Sequence, residues 1–126
     1  FKTLTEHYDN YDFFFLHMKE ADLAGEDGNF DRKVRIIEQI DKALPTLTGL
    51  EPDVIVVTGD HSTPALLKEH SWHPLPVLLY SKWCRPDKAS EFSESACVSG
   101  GLGRFPATQI MPLAMANALK LNKFGA

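Results

Sequence analysis

The segment Val54-Ile55-Val56-Val57-Thr58-Gly59-Asp60-His61-Ser62-Thr63-Pro64 constrains this chain more than any other, because one glycine joins an apolar strand to a polar pair. Consecutive β-branched residues at 54–57 suit a strand covered on both faces, the habit of α/β sheets. Gly59 permits a sharp turn at the strand's carboxyl end, and Asp60 and His61 follow at once. A carboxylate beside a neutral imidazole offers oxygen and nitrogen donors to a divalent ion such as zinc or manganese. The same residues admit a second reading, in which Asp60 caps a short helical turn at Thr63-Pro64 and His61 is only solvated.

With 126 residues, 44% of them hydrophobic and 24% charged, the chain has material for one ordinary globular core. The net charge of -4 is spread over interspersed acids and bases, so no clustered Lys and Arg await a phosphate backbone and no nucleic-acid partner is expected. No apolar run approaches the roughly 20 residues that cross a bilayer, so no membrane partner is expected either. Phe1-Lys2-Thr3 resembles no signal peptide, and a first residue other than Met points to upstream residues removed from this sequence. Cys84 and Cys97 read as reduced thiols of a cytoplasmic protein.

Residues 3 to 10 predict a short polar helix, and Asp12 to Met18 a fully buried strand containing Phe13, Phe14, Phe15 and Leu16. His17 lies inside that apolar run and reads as a hydrogen-bonded core histidine. Ala21 to Asn29 carries two glycines and three acids, which predicts a loop at the strand's carboxyl end. Phe30, Val34, Ile37, Ile40 and Leu44 then recur at helical spacing, with Asn29 as cap and Pro45 as terminator. Pro52 to Gly59 and Pro76 to Tyr80 supply two further strands. Strand, helix, strand in this order implies a right-handed crossover and parallel pairing, hence an α/β fold with a mostly parallel sheet flanked by helices. Residues 81 to 104 read as irregular, and Ala107 to Leu119 as a last helix with Met111 and Met115 in the core. Trp72 and Trp83 read as packing residues.

The predicted topology puts the strand tips on one edge, where open α/β sheets bind ligands. Asp22, Glu26, Asp60, His61, His70 and His73 all fall in segments at that edge. Six donors suffice for two divalent ions, and two-metal sites serve phosphoryl transfer. Lys19 is a weaker candidate for a phosphate contact, as is His73 for one facing substrate. For each, solvation in a polar loop is the competing reading.

The stretches Lys19-Glu-Ala-Asp22-Leu-Ala-Gly25-Glu26-Asp27-Gly28-Asn29, Val57-Thr-Gly-Asp60-His61-Ser62-Thr63-Pro64, His70-Ser-Trp-His73-Pro-Leu-Pro76 and Lys123-Phe-Gly-Ala126 agree in order and spacing with one family. Across essentially its whole length, residues 1–126, the chain resembles the carboxyl-terminal part of the cofactor-independent (2,3-bisphosphoglycerate-independent) phosphoglycerate mutases. The likeness is to their archaeal-type branch, within the alkaline phosphatase superfamily. The resemblance implies two divalent cations, one held by Asp22, Glu26 and His70 and the other by Asp60 and His61. It also implies an Asp and a nucleophilic Ser from an amino-terminal strand, and a substrate-binding domain, none of them in this chain. Ser62 and Ser71 do not match that nucleophile. The implied reaction interconverts 3-phosphoglycerate and 2-phosphoglycerate through a phosphoserine, in glycolysis and gluconeogenesis, with this chain inactive alone.

At the position of Glu26 the wider superfamily commonly has histidine. A carboxylate there favours manganese or magnesium over zinc, since oxygen replaces nitrogen. Two other functions stay open on the residues: a metal-dependent phosphatase or other phosphomutase of the same superfamily, and a non-catalytic domain that binds no metal.

Overall fold

The computed structural model describes residues 1–121, and the chain divides into two compact units, Phe1–Pro52 with His61–His73 and Asp53–Asp60 with Pro74 onward. The first unit opens with helix α1 (Lys2–His7) and a 3-10 turn at Tyr8–Asn10, in keeping with the polar pattern of residues 3 to 10. Residues 11–18 then run without a ladder, and Phe13 and Phe15 are 61% and 79% exposed. This corrects the buried strand expected at 12–18. A strand is held by the N–H and C=O groups of a neighbour, and among the described residues no strand pairs with this one. His17 is likewise exposed, its ring tilted against Phe15 at 6.4 Å, and is not a core histidine.

Helix α2 (Lys19–Glu26) replaces the loop expected from two glycines and three acids. The two glycines serve different ends. Gly25 lies buried within the helix, whereas Gly28 takes a left-handed φ of 69° and stops it. The Gly28 and Asn29 amides donate back to the carbonyls of Gly25 and Ala24, which satisfies the helix end.

Helix α3 (Phe30–Thr48) follows at once, its first turn capped by the Asn29 side chain, which accepts from the Arg32 amide at 3.0 Å. The helix continues past Pro45, where the sequence predicted its end. Pro45 has no amide to give the carbonyl four residues back, so the helix runs on for its last three residues with that one backbone bond missing. Helix α2 packs on α3, with Ala24 fully buried. The apolar stripe of α3 is only partly covered, since Phe30 and Ile37 are 67% and 53% exposed.

In the second unit, β1 (Val54–Val57) and β2 (Leu78–Ser81) form a two-stranded antiparallel sheet, with Val54 opposite Ser81 and Val57 opposite Leu78. A parallel sheet is therefore absent among the described residues, because its first member, 12–18, makes no ladder. Ile55 and Ser81 are the buried positions. The Ser81 hydroxyl donates to Asn117 Oδ1 at 2.7 Å and accepts the Trp83 and Cys84 amides, so a buried polar group is fully engaged. Residues 81 to 104 are largely irregular, apart from the short α4 (Glu94–Cys97) capped by Ser93. The Asp87 carboxylate pins this stretch by accepting the Gly101 and Ala89 amides, and those bonds hold its pKa below the usual carboxylate value.

A 3-10 turn at Ala107–Gln109 leads into α5 (Ile110–Asn117), which packs on β1. Pro112 sits in its first turn, where an amide is dispensable. Met111, Met115 and Trp83 are exposed, against the expectation of core positions. Cys84 and Cys97 are free thiols, and no helix of the described residues is long and apolar enough to cross a membrane. The motif at 123–126 lies outside the described residues.

Replacing Asn29 by Ala removes the cap of α3 and is expected to cost about 1 kcal/mol. Urea denaturation checks this through a lower midpoint at unchanged slope.

Candidate metal centre

Two segments of the first unit build the site: α2 and the loop 61–73. The helix sets Asp22 and Glu26 four residues apart, so both carboxylates project from one face. Asp22 lies in the first helical turn, where the amides at the helix start favour negative charge. Lys19 Nζ donates to Asp22 Oδ2 at 2.5 Å, and the Thr63 hydroxyl donates to Asp22 Oδ1 at 2.5 Å. These two bonds, the lysine's first, bring the Asp22 carboxyl down to about 2. The side chain is therefore an anion at any neutral pH.

The loop is folded back on itself by one bridge, in which the Ser71 amide donates to the Ser62 carbonyl at 2.8 Å. That closure sets His61 and His70 side by side, with ring centroids 3.8 Å apart at 30°. His61 Nδ1 lies 3.8 Å from Asp22 Oδ1, and His70 Nε2 lies 3.6 Å from the same oxygen. Glu26 Oε1 is 3.5 Å from His70 Nε2. One donor atom each from Asp22, His61 and His70 falls within 4.8 Å of the others. Such separations are too long for direct hydrogen bonds. The two His70 Nε2 separations are close to what ligands around one ion require, since donors about 2.1 Å from a shared cation stand roughly 3 to 3.5 Å from one another.

The donor set fits a divalent cation. One carboxylate oxygen ionised at neutral pH and two imidazoles suit zinc, manganese or a similar ion, and Glu26 adds a second carboxylate beside His70. Of the residues singled out in the sequence, Asp22, Glu26, His61 and His70 are thus brought together. Asp60, the exposed residue preceding His61, belongs to the other unit. His73 is exposed, bonded through Nδ1 to the Ser71 hydroxyl at 2.8 Å and stacked on Trp72, itself exposed and not packed away. Lys19 is engaged with Asp22.

Sequence reasoning passed over three residues that hold the site. Thr63 is 4% exposed and bonds both Asp22 Oδ1 and His61 Nδ1, the latter at 3.1 Å. Lys33 Nζ donates to the Thr63 carbonyl at 2.5 Å, reaching it from α3. Gly25 lies so close that an added Cβ would strike that same carbonyl oxygen. A hydroxyl two residues after a candidate ligand was a usable signal for Thr63. Nothing local marks Lys33, which is 30 positions away.

Gly25→Ala is expected to destabilise by about 1–3 kcal/mol, because helix α2 must retreat from the loop. Chemical denaturation measures it. Asp22 makes a second case: its folded pKa of about 2 lies below the ordinary 3.8, so its contribution to stability is present above pH 3.8 and lost as pH falls towards 2. Across that window the denaturation midpoint of the parent protein should fall more steeply than that of Asp22→Asn.

Comparison with known proteins agrees with this chemistry. The profile of the metalloenzyme superfamily matches residues 1–117. The chain is 51% identical over 125 residues to a probable 2,3-bisphosphoglycerate-independent phosphoglycerate mutase of Thermotoga petrophila, covering 99% of this chain and 31% of that protein. A protein of the same description from Deinococcus radiodurans is 53% identical over 125 residues, with 30% of its length covered. A solved structure of a Pyrococcus horikoshii protein superposes with a TM-score of 0.92 at 38% identity, over 99% of this chain and 39% of that one. The chain therefore spans about a third of the length of the relatives it matches. Its sequence, its α/β elements and its mixed carboxylate and imidazole donors together make it a member of the metalloenzyme superfamily.

Proposed function

We propose that this chain is the metal-holding carboxyl-terminal part of a 2,3-bisphosphoglycerate-independent phosphoglycerate mutase, which interconverts 3-phosphoglycerate and 2-phosphoglycerate. The observation that carries the reading is the convergence of Asp22, His61 and His70 within 4.8 Å. Half identity to the named mutases of two bacterial lineages supports it. In this reading the remaining two thirds of the polypeptide supply the nucleophilic serine, a further aspartate and the substrate-binding domain. They also complete a mostly parallel sheet of the alkaline phosphatase type, in which residues 12–18 find a strand partner.

Asp22, Glu26 and His70 would hold one divalent cation, and His61 beside them would offer a donor to a second, with manganese or magnesium favoured by the carboxylates and zinc admissible. When bound, such ions neutralise charge on a transferring phosphoryl group and ease ionisation of an attacking hydroxyl. This chain's own part is positional. The Asp22 carboxylate stays ionised, so it offers lone pairs without first losing a proton. The serine takes the phosphoryl group and returns it to the neighbouring hydroxyl of the same glycerate. Without that serine the chain alone is inactive. The activity belongs to glycolysis and gluconeogenesis in the cytoplasm.

The full-length protein, supplied with manganese and 3-phosphoglycerate, should form 2-phosphoglycerate and release little inorganic phosphate. Phosphate release as the main product would replace the mutase reading with a phosphatase one. His70→Ala should lower kcat/KM by on the order of 100-fold or more, equivalent to about 2.7 kcal/mol of transition-state stabilisation. Saturating manganese should also raise the melting temperature, since a ligand at 100 times its Kd adds about 2.7 kcal/mol to stability. An unchanged melting curve in millimolar manganese would sink the metal assignment.

A further inference from the structure

We propose that Thr63 is a positioning residue that sets the tautomer of His61, holding the proton on Nδ1 and leaving Nε2 as the basic nitrogen that ligates a divalent cation. The inference deepens the metal-binding reading above and rests on it for the role of the ion, while the tautomer itself follows from a proton count.

Thr63 Oγ1 carries one proton and has two polar neighbours, Asp22 Oδ1 at 2.5 Å and His61 Nδ1 at 3.1 Å. An ionised carboxylate only accepts, so the hydroxyl proton must point to Asp22. The hydroxyl oxygen is then left with lone pairs alone towards the imidazole. It can bond His61 only if Nδ1 brings the hydrogen. A neutral imidazole has a single N–H, so Nε2 keeps its lone pair. One side chain thereby orders two ligands from different elements, the carboxylate of α2 and the ring of the loop.

The hydroxyl can do this because it has little freedom of its own. Thr63 is 4% exposed, Lys33 Nζ grips its carbonyl, and the bare Cα of Gly25 lets α2 lie against it. Metal-bound histidines are commonly oriented through the nitrogen that does not bind the metal, and loss of that partner costs on the order of 10–100-fold in metal affinity.

The test uses the full-length protein with nitrogen-labelled histidine, free of metal and at mildly alkaline pH, where long-range proton–nitrogen correlation distinguishes protonated from bare ring nitrogens. His61 should show a protonated Nδ1 and a bare Nε2. Thr63→Val, which keeps the shape and removes the hydroxyl, should move the ring towards the Nε2–H form that free imidazoles prefer. It should also weaken manganese binding by about 10–100-fold in calorimetric titration. Thr63→Ser keeps the hydroxyl and should restore both readouts. The proposal is overturned if Thr63→Val leaves the His61 pattern unchanged, or if Thr63→Ser behaves like the valine variant. A parent protein with protonated Nδ1 that takes up no manganese would uphold the tautomer and defeat the metal reading. Tight manganese binding with a bare Nδ1 would do the reverse.

Discussion

The bond from the Thr63 hydroxyl to Asp22 is the constraint on which the site depends, because it ties a helix to a loop 41 residues away at the place where charge is concentrated. Asp22 and Glu26 on α2 carry negative charge close together, and His61 and His70 stack above them. Without internal donors, such a group would be held apart by solvation of each member. Lys19 and Thr63 supply two donors to one carboxylate, and Lys33 supplies a third to the backbone behind it. Hydrogen bonds to a charged acceptor are the stronger kind, so the two to Asp22 are the firmest in this part-buried cluster.

The packing behind the site is as economical as its polar contacts. Gly25 costs helix α2 some intrinsic stability relative to alanine, about 1 kcal/mol. In exchange it brings the helix close enough for the Thr63 carbonyl and hydroxyl to reach their partners. The Ser62–Ser71 bridge does the corresponding work in the loop, since it turns a nine-residue separation between His61 and His70 into ring contact. The exposed apolar residues tell a different story. Phe13, Phe15, Phe30 and Ile37 are open to solvent, so the apolar faces of this unit are only partly buried, and the matched relatives are about three times as long as this chain.

Much of the local structure was readable from residue patterns. The 3.6-residue recurrence from Phe30 to Leu44 declared α3, and Asn29 declared its cap, because both are properties of a few neighbouring residues. The β-branched run declared β1. The misreadings share one cause. Gly25 looked like a loop residue and Phe13 to Leu16 like a core strand, but each depends on what lies opposite: a close-packed carbonyl for the first, and for the second no strand neighbour among the described residues.

The candidate donor types and their order along the chain were determined by the sequence alone: an Asp and a Glu one helical turn apart, then two histidines separated by a loop, all belonging to residues whose chemistry is intrinsic. Tertiary structure alone decided which of them meet, and which groups hold them there. Thr63, Lys33 and Gly25 act through distances between segments remote in sequence, and only the folded packing of α2 against α3 and the closure of loop 61–73 bring those distances to hydrogen-bond length.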